Sequence, residues 1–434
     1  MRAVSFETAL ERVGYGRFQR RLLVVCGLGW AADAMEVLLV SFALPAMSAE
    51  WGLSTGQKGL LATAIFLGML AGSVFWGRLS DKVGRRLGFI LTIAFDSLFG
   101  LLSAFAPSFS VFLFLRVLTG FGVGGTLPVD YGMFSEYLPE KKRASRLVIL
   151  ESFWALGTLA AAALAWLIVP RLGWRALFAV SALPGLILFA FRRGVPESPR
   201  YLFSRGRAKE AWDVLARVAR ENGTALPEGE LEMSAPTRAW RMRDLFSPEL
   251  RRTTVLLWIV WFLISIGYYG AFTWLPSWFR VKGFALPSVY PNTVIMALAQ
   301  IPGYFSAAAL VSRWGKKTTL GVYLIASGAC AWLFALASTP LTVVLSAVAL
   351  SFFALGAWGA LYACTPESYP TGIRTTGIGA ASGWTRIAGV IAPTIGALVA
   401  GQSLAVPLAV FALAYLLAGL SSFLLRESGS AQNV

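Results

Sequence analysis

Ser135-Glu136-Tyr137-Leu138-Pro139-Glu140-Lys141-Lys142-Arg143 and Pro366-Glu367-Ser368-Tyr369-Pro370-Thr371-Gly372-Ile373-Arg374 share one skeleton, Glu-x-x-Pro-x-x-x-Arg, at an offset of 231 residues. The same offset relates Pro45 to Pro276, Gly52 to Gly283, and Gly84-Arg85-Arg86 to Gly315-Lys316-Lys317. One such match could be chance, but an ordered series at constant spacing marks a duplicated unit. Two units in parallel register imply a pseudo-two-fold axis with a cavity between the halves, an arrangement typical of transporters.

Composition says what solvent surrounds the duplicated unit. Of 434 residues, 57% are apolar and 14% charged, and the mean hydropathy is +0.66. These values exclude an ordinary soluble enzyme and equally a disordered or collagen-like chain. At about 20 apolar residues per crossing, the length allows roughly a dozen membrane helices. Apolar runs predict twelve, at 22–47, 58–79, 87–106, 110–133, 147–169 and 174–192, then 253–279, 289–311, 318–338, 341–364, 375–399 and 404–425. The fold class expected is therefore an all-α membrane protein of two pseudo-symmetric six-helix bundles, 22–192 and 253–426.

An even number of crossings puts both termini on one side. Only Lys58, Arg171, Arg175, Arg280 and Lys282 fall on the other side and Arg116 and Arg386 within spans, which leaves 31 of the 38 Lys and Arg beside the termini. By the positive-inside rule that side is the cytoplasm, in a multi-pass protein of the plasma (inner) membrane. The net charge of +16 then reads as topology and attraction to anionic lipid, with no nucleic acid implied. Residues 1–21 are basic and lack an apolar signal core, so they are expected to be a cytoplasmic tail, as is 427–434. The linker 193–252 is expected to hold one amphipathic helix over 204–222, with Ala208, Ala211, Trp212, Leu215, Val218 and Ala219 on its apolar face. A single chain holds both halves, so a monomer suffices.

Cys26, Cys330 and Cys364 lie in apolar stretches without metal or redox spacing, and histidine is absent. No metal, cofactor or His-based catalysis is expected, there is no GxSxG or HExxH stretch, and any proton chemistry must use carboxylates. An enzyme is not expected.

The run Gly77-Arg78-Leu79-Ser80-Asp81-Lys82-Val83-Gly84-Arg85-Arg86 resembles the GxxxDxxGRR loop signature of the major facilitator superfamily. The resemblance implies a lock on one conformation, with Asp81 at a neighbouring helix N-terminus. The second half has Ala308 and Ser312 at the corresponding places, so the lock should be asymmetric. Arg116-x-x-x-Gly120-x-Gly122-x-x-Gly125 and Pro196-Glu197-Ser198-Pro199-Arg200 resemble the sugar-porter and organic-ion branches, but the seventh crossing reads Ile264-Ser265-Ile266-Gly267-Tyr268-Tyr269-Gly270 rather than a sugar-porter QQxxGxN. Ala32-Asp33-Ala34-Met35-Glu36-Val37, Glu151-Ser152-Phe153-Trp154-Ala155-Leu156-Gly157, Met242-Arg243-Asp244-Leu245-Phe246 and Thr385-Arg386-Ile387-Ala388-Gly389 look like the synaptic-vesicle-protein-related and bacterial niacin (nicotinate) permease group over nearly the whole chain.

An ionised side chain at the membrane centre costs about 2.5–3.5 kcal/mol even on insertion scales, so each needs a partner or a watery cavity. The spans hold Asp33, Glu36, Asp96, Arg116, Asp130, Glu151 and Arg386. The resemblance implies Asp33 as the proton site with Arg116 as its partner; a static pair between the first and fourth crossings is the plainer reading. Glu36, three residues on, shares the face of Asp33 and either lines the cavity or bonds between helices. Arg386 has only Ala155 at its repeat position and suits a substrate carboxylate, or else pairs with Asp130 or Glu151.

Trp154, Tyr268, Tyr269, Trp358 and Trp384 could stack on a flat ring or on Arg386, or simply pack between helices. Gln300 and Asn292 could add hydrogen bonds, and Glu151 could hold a cation. Asp81, Arg85, Glu136, Arg143, Glu197, Arg200, Glu367 and Arg374 stand at helix ends where, by the family scheme, they would bridge the halves when the cytoplasmic gate shuts. The expected function is alternating-access secondary transport of a small organic anion, with an aromatic monocarboxylate such as nicotinate leading and a proton as coupling ion. An organic cation, zwitterion or sugar transporter is the alternative, and a non-transporting binding protein on the same fold a third reading.

Overall fold

A computed structural model of the chain describes residues 3–227, 229–232, 242–370, 373–399 and 404–425. The expected tail at 427–434 lies outside the described residues. The elements run β1 (Ala3–Ser5), α1 (Phe6–Val13), α2 (Arg17–Trp51), α3 (Thr55–Val83), α4 (Arg85–Ser103), α5 (Phe109–Val123), α6 (Thr126–Glu136), α7 (Glu140–Arg193), α8 (Pro199–Ser204), α9 (Ala208–Asn222), β2 (Glu230–Glu232), a 3-10 turn (Met242–Phe246), α10 (Arg251–Val281), α11 (Leu286–Trp314), α12 (Lys316–Leu336), α13 (Pro340–Glu367), α14 (Arg374–Val399) and α15 (Ala405–Phe423).

Among the described residues ten stretches are long and apolar enough to cross a membrane, α5 and α6 together forming one and Ser145–Arg193 within α7 another. The latter is two crossings, because Gly173 at φ 77 breaks the helix. With α14 the described residues form twelve rods in two sets of six. Turn chemistry marks their ends. Ser54 and Gln57 form a capping box on α3, and Thr339 with Thr342 does the same for α13 ahead of Pro340. Gly84 and Gly315, equivalent in the repeat, hold φ of 114 and 83, which explains why the duplication keeps glycine there.

Between the halves α3 packs on α14, α7 on α11 and α2 on α10. The first two contacts are mirror positions in the repeat, and the third joins the two first crossings. Large apolar side chains such as Phe105, Leu172, Phe191, Phe305 and Leu341 point outward, as a lipid-facing exterior requires.

Beside the termini lies a layer that the sequence reading only partly anticipated. The expected 204–222 helix is α9, with Ala211, Leu215, Val218 and Ala219 buried. Residues 1–21 are not a plain tail: Ser5 caps α1, which buries Phe6, Ala9, Leu10 and Val13, and α2 begins already at Arg17. Asn222 clamps the two segments, accepting from Phe18 N (3.0 Å) and donating to Val13 O (3.1 Å) and Gln19 Oε1 (2.8 Å). A single short amphipathic turn without a long apolar run is easily read as a tail.

Candidate functional site

A cavity of about 510 Å³ opens between the halves. Its walls are Trp30 on α2, Glu151 and Trp154 on α7, Trp261, Tyr268 and Tyr269 on α10, Tyr304 on α11, Leu355, Trp358 and Tyr362 on α13, and Ser382, Thr385 and Arg386 on α14. Of the residues anticipated from sequence, it gathers Glu151, Trp154, Tyr268, Tyr269, Trp358 and Arg386. Trp30, Trp261, Tyr304 and Tyr362 were missed. The signal existed, since Trp30 and Trp261 stand 231 apart, as do Tyr131 and Tyr362. Each Trp meets its Tyr edge-on, at 5.6 Å for Trp30 and Tyr131 and 5.1 Å for Trp261 and Tyr362. Trp358 packs edge-on against Trp261 at 5.5 Å, and Trp30 lies 5.3 Å from Trp154, so the wall is a nearly continuous aromatic lining.

Three anticipated residues stand elsewhere. Trp384 faces away and packs on Trp258 (5.5 Å) and Phe262 (6.0 Å), so its helix-packing reading holds. Gln300 lines a neighbouring cavity of about 300 Å³ with Phe42, Thr158, Phe272 and Thr293. Asn292 donates to Ser288 O on its own helix. Trp154 Nε1 donates to Tyr268 Oη (3.0 Å), a bond that joins the halves at the boundary of the aromatic cavity. Tyr304 Oη donates across the halves to Val148 O (2.5 Å).

The buried charges pair differently from expectation. Arg116 does not meet Asp33: its Nη1 lies 2.7 Å from Glu36 Oε2 and its Nη2 donates to Glu36 O (2.8 Å). Ser181 Oγ donates to the other Glu36 oxygen (3.3 Å), and the guanidinium lies over the Phe178 ring. Glu36 therefore sits on the rotational setting that faces α5, and Asp33, three residues earlier, falls short of it. The hydroxyl of Thr126 faces the fully buried Asp33, but neither carboxylate oxygen meets a donor in full hydrogen-bond geometry among the described residues. The charged neighbours of Asp33 are Asp96, Asp130, Arg192 and Arg386; Asp96, also buried and without an ion pair among the described residues, has Arg116 and Arg192 as its nearby cations.

Asp130 does not pair with Arg386 either, because Arg192 takes it. Arg192 is itself fully buried and donates to Phe89 O (2.7 Å) as well as to Asp130 Oδ2. By sequence Arg192 is the last residue of the crossing 174–192 and counts among the basic residues beside the termini. Glu151 accepts from Trp30 Nε1 (3.1 Å) and from Tyr131 Oη. Arg386, 5% exposed, lines the cavity and forms no ion pair with a described carboxylate.

At the termini's face the charges expected to bridge the halves pair within them. Arg85 holds Asp81 and, at 3.0 Å, Glu136. Its repeat equivalent Lys316 holds Glu367, the equivalent of Glu136. Glu197, not Asp81, occupies the N-terminus of α4, accepting from Arg86 N (3.0 Å), where the helix dipole favours an anion; Asp81, 64% exposed, reaches only Arg85. Arg200 pairs with Glu7 (3.2 Å). Arg143 donates to Leu138 O (3.3 Å), and burial holds its guanidinium below the ordinary arginine range. Arg374 Nε has no partner among the described residues. Ser312 bonds only Ala309 O, so the second half has nothing like the Asp81 contact.

Known proteins supply a frame for this geometry. The sequence model of the Major Facilitator Superfamily matches residues 22–393. Over 387 residues, 89% of this chain and 88% of the other, the sequence is 38% identical to "Niacin transporter NiaP" of Acinetobacter baylyi. Over 437 residues, 96% of this chain and 79% of the other, it is 36% identical to "Synaptic vesicle 2-related protein" of Bos taurus. Among solved structures, the partially occluded inward open conformation of the xylose transporter XylE from E. coli superposes with a TM-score of 0.76 at 17% identity, covering 93% of this chain and 96% of that one. That last likeness concerns the fold alone.

Proposed function

We propose a cargo and a coupling ion for this chain, which belongs to the Major Facilitator Superfamily and is a multi-pass membrane transporter rather than an enzyme. The cargo is an aromatic monocarboxylate of the nicotinate type, moved by alternating access with a proton as co-substrate and without metal or cofactor. The observation that carries this reading is Arg386, a guanidinium in an aromatic-walled cavity that forms no ion pair with a carboxylate among the described residues, Glu36 and Asp130 being taken by Arg116 and Arg192. A guanidinium in that state is a two-pronged donor for a planar carboxylate, and the surrounding rings supply flat apolar contact for the rest of the ligand. A relative with 38% identity named as a niacin transporter favours the same cargo.

For the proton, Asp33 is the candidate. Glu36 and Asp130 are each bound to an arginine, so a proton placed on either would break an ion pair. Asp33 has no such bond to lose and lies within electrostatic reach of Arg386, so its charge can respond to an anion arriving there. Arg116 and Glu36 then act as a brace for α2 rather than as the proton relay. The termini face the cytoplasm by the distribution of Lys and Arg, and the helix-end charges Asp81, Arg85, Glu136, Arg143, Glu197, Arg200, Glu367 and Arg374 regroup when the halves close on that side. A monomer is sufficient, since the cavity is complete within one chain.

Uptake of labelled nicotinate into proteoliposomes, with and without an inward proton gradient, tests the proposal. Arg386→Ala should lower uptake at least tenfold, and Asp33→Asn should remove stimulation by the gradient while leaving counterflow exchange. Full uptake by Arg386→Ala removes the carboxylate reading; gradient-stimulated uptake in Asp33→Asn removes the proton assignment.

A further inference from the structure

The cavity repeats one Trp–Tyr pair across its two halves but differs between them in charge. Trp30 and Tyr131 are answered across the pseudo-two-fold by Trp261 and Tyr362, with the same edge-on contact in each half. Glu151 is answered by Ser382 and Arg386 by Ala155, so the first half contributes one carboxylate and the second one guanidinium. Opposite charges within one buried cavity would ordinarily close on each other, and here they do not. Glu151 accepts from Trp30 Nε1 and Tyr131 Oη of its own half and interacts with Tyr362 of the other, while Arg386 on α14 forms no ion pair with a described carboxylate. Two opposite charges contributed by different halves and not ion-paired with each other among the described residues, in an aromatic-lined cavity, match a flat ligand that is itself dipolar.

We propose that Glu151 is a specificity-determining residue that binds a basic ring nitrogen of the substrate, so that the cargo is a heteroaromatic carboxylate spanning Glu151 and Arg386 and not any aromatic acid. This rests on the reading of Arg386 as the carboxylate's partner. One proton lies in the contact between the ring nitrogen and the Glu151 carboxyl, carried by whichever of the two holds it; no covalent bond forms. A pyridine carboxylate satisfies both poles, whereas benzoate satisfies Arg386 and leaves Glu151 facing a C–H edge, forfeiting a hydrogen bond in a buried site. Since the poles belong to different halves, a ligand that touches both also ties α7 to α14 and favours the closed cavity. An acid without the nitrogen lacks that tie.

The test is equilibrium binding to the purified full-length protein with three probes: nicotinate, benzoate and the permanently charged N-methylpyridinium-3-carboxylate. Wild type should bind nicotinate at least tenfold more tightly than benzoate. Glu151→Gln should erase that difference by weakening nicotinate while leaving benzoate within twofold, and should weaken the N-methylated probe as well, because amide replaces anion beside a fixed cation. Arg386→Ala should weaken all three. Equal affinity of wild type for nicotinate and benzoate, or equal losses for both in Glu151→Gln, overturns the proposal even if Arg386→Ala still abolishes binding. If instead Arg386→Ala leaves all three unchanged, the carboxylate reading itself falls. Should Glu151→Gln not fold, the wild-type ratio and Glu151→Asp decide, the shorter acid being expected to lower the nicotinate preference selectively.

Discussion

Glu36 and Arg116 are 3% and 0% exposed, and Asp130 and Arg192 1% and 0%. Each pair is a charge couple sealed inside the first half, with desolvation that only the partner and neighbouring oxygens offset. Removing one member leaves an uncompensated charge, so Glu36→Gln and Asp130→Asn should each cost about 3–5 kcal/mol of stability, whereas an apolar replacement of both members of a pair should cost much less. Thermal unfolding in detergent reads this directly, as a larger fall in midpoint for the single variant than for the double. Equal falls would mean that the pairs contribute by packing alone. Asp33 gives the contrasting expectation: Asp33→Asn removes no ion pair and should leave the midpoint within a few degrees of wild type.

At the scale of elements, what holds the charges in place is the closeness of α5 to α3 and α4. In Arg116-x-x-x-Gly120-x-Gly122, a side-chain carbon on Gly120 would fall on the backbone of Ile65 and one on Gly122 on the backbone of Asp96. Gly120→Ala should therefore push α5 off α3, cost about 1–3 kcal/mol by overpacking, and weaken the Glu36 contact along with it; a midpoint unchanged from wild type would show that α5 can shift freely. The crossings themselves were legible in the sequence because a bilayer imposes long apolar runs, and the duplication was legible because turn glycines such as Gly84 and Gly315 cannot be exchanged at positive φ. Partner choice was not. Asp33 and Glu36 share a face of α2 and differ by less than a turn, so which of them meets Arg116 depends on the rotation and depth of α2 against α5, which spacing along one helix does not encode. Arg192 was missed for a related reason, since an arginine at the end of an apolar run reads as a headgroup anchor until α6 supplies Asp130. Trp384 was over-read because aromatic type says nothing of facing, and it faces Trp258 and not the cavity.

Across the whole molecule the two halves touch unequally at their two ends. On the side away from the termini Thr63 of α3 meets Thr394 of α14, Oγ1 to Oγ1 at 3.1 Å, and Phe66 packs edge-on against Tyr269 at 4.7 Å. On the termini's side Arg85 with Glu136 and Lys316 with Glu367 close inward on their own halves. The far end is tied through Thr63 and Thr394 and through Phe66 and Tyr269, whereas on the termini's side the charged helix ends pair within their own halves and Tyr304 Oη reaches across to Val148 O; this inequality is the one expected when the cavity faces the termini. If transport needs the opposite state, Thr63 and Thr394 must separate in every cycle. A Thr63→Cys/Thr394→Cys chain, with the three buried cysteines Cys26, Cys330 and Cys364 replaced by serine or alanine, should therefore oxidise to a cross-link that blocks nicotinate uptake, and reductant should restore it. Binding from the termini's side should survive the cross-link, because Arg386 and Glu151 lie between that side and the tie, Arg386 eight residues before Thr394 on α14. A cross-linked protein that transports at the uncross-linked rate would mean that the halves do not part at this end, and the rocking scheme would have to be replaced by one in which only the helix ends beside the termini move.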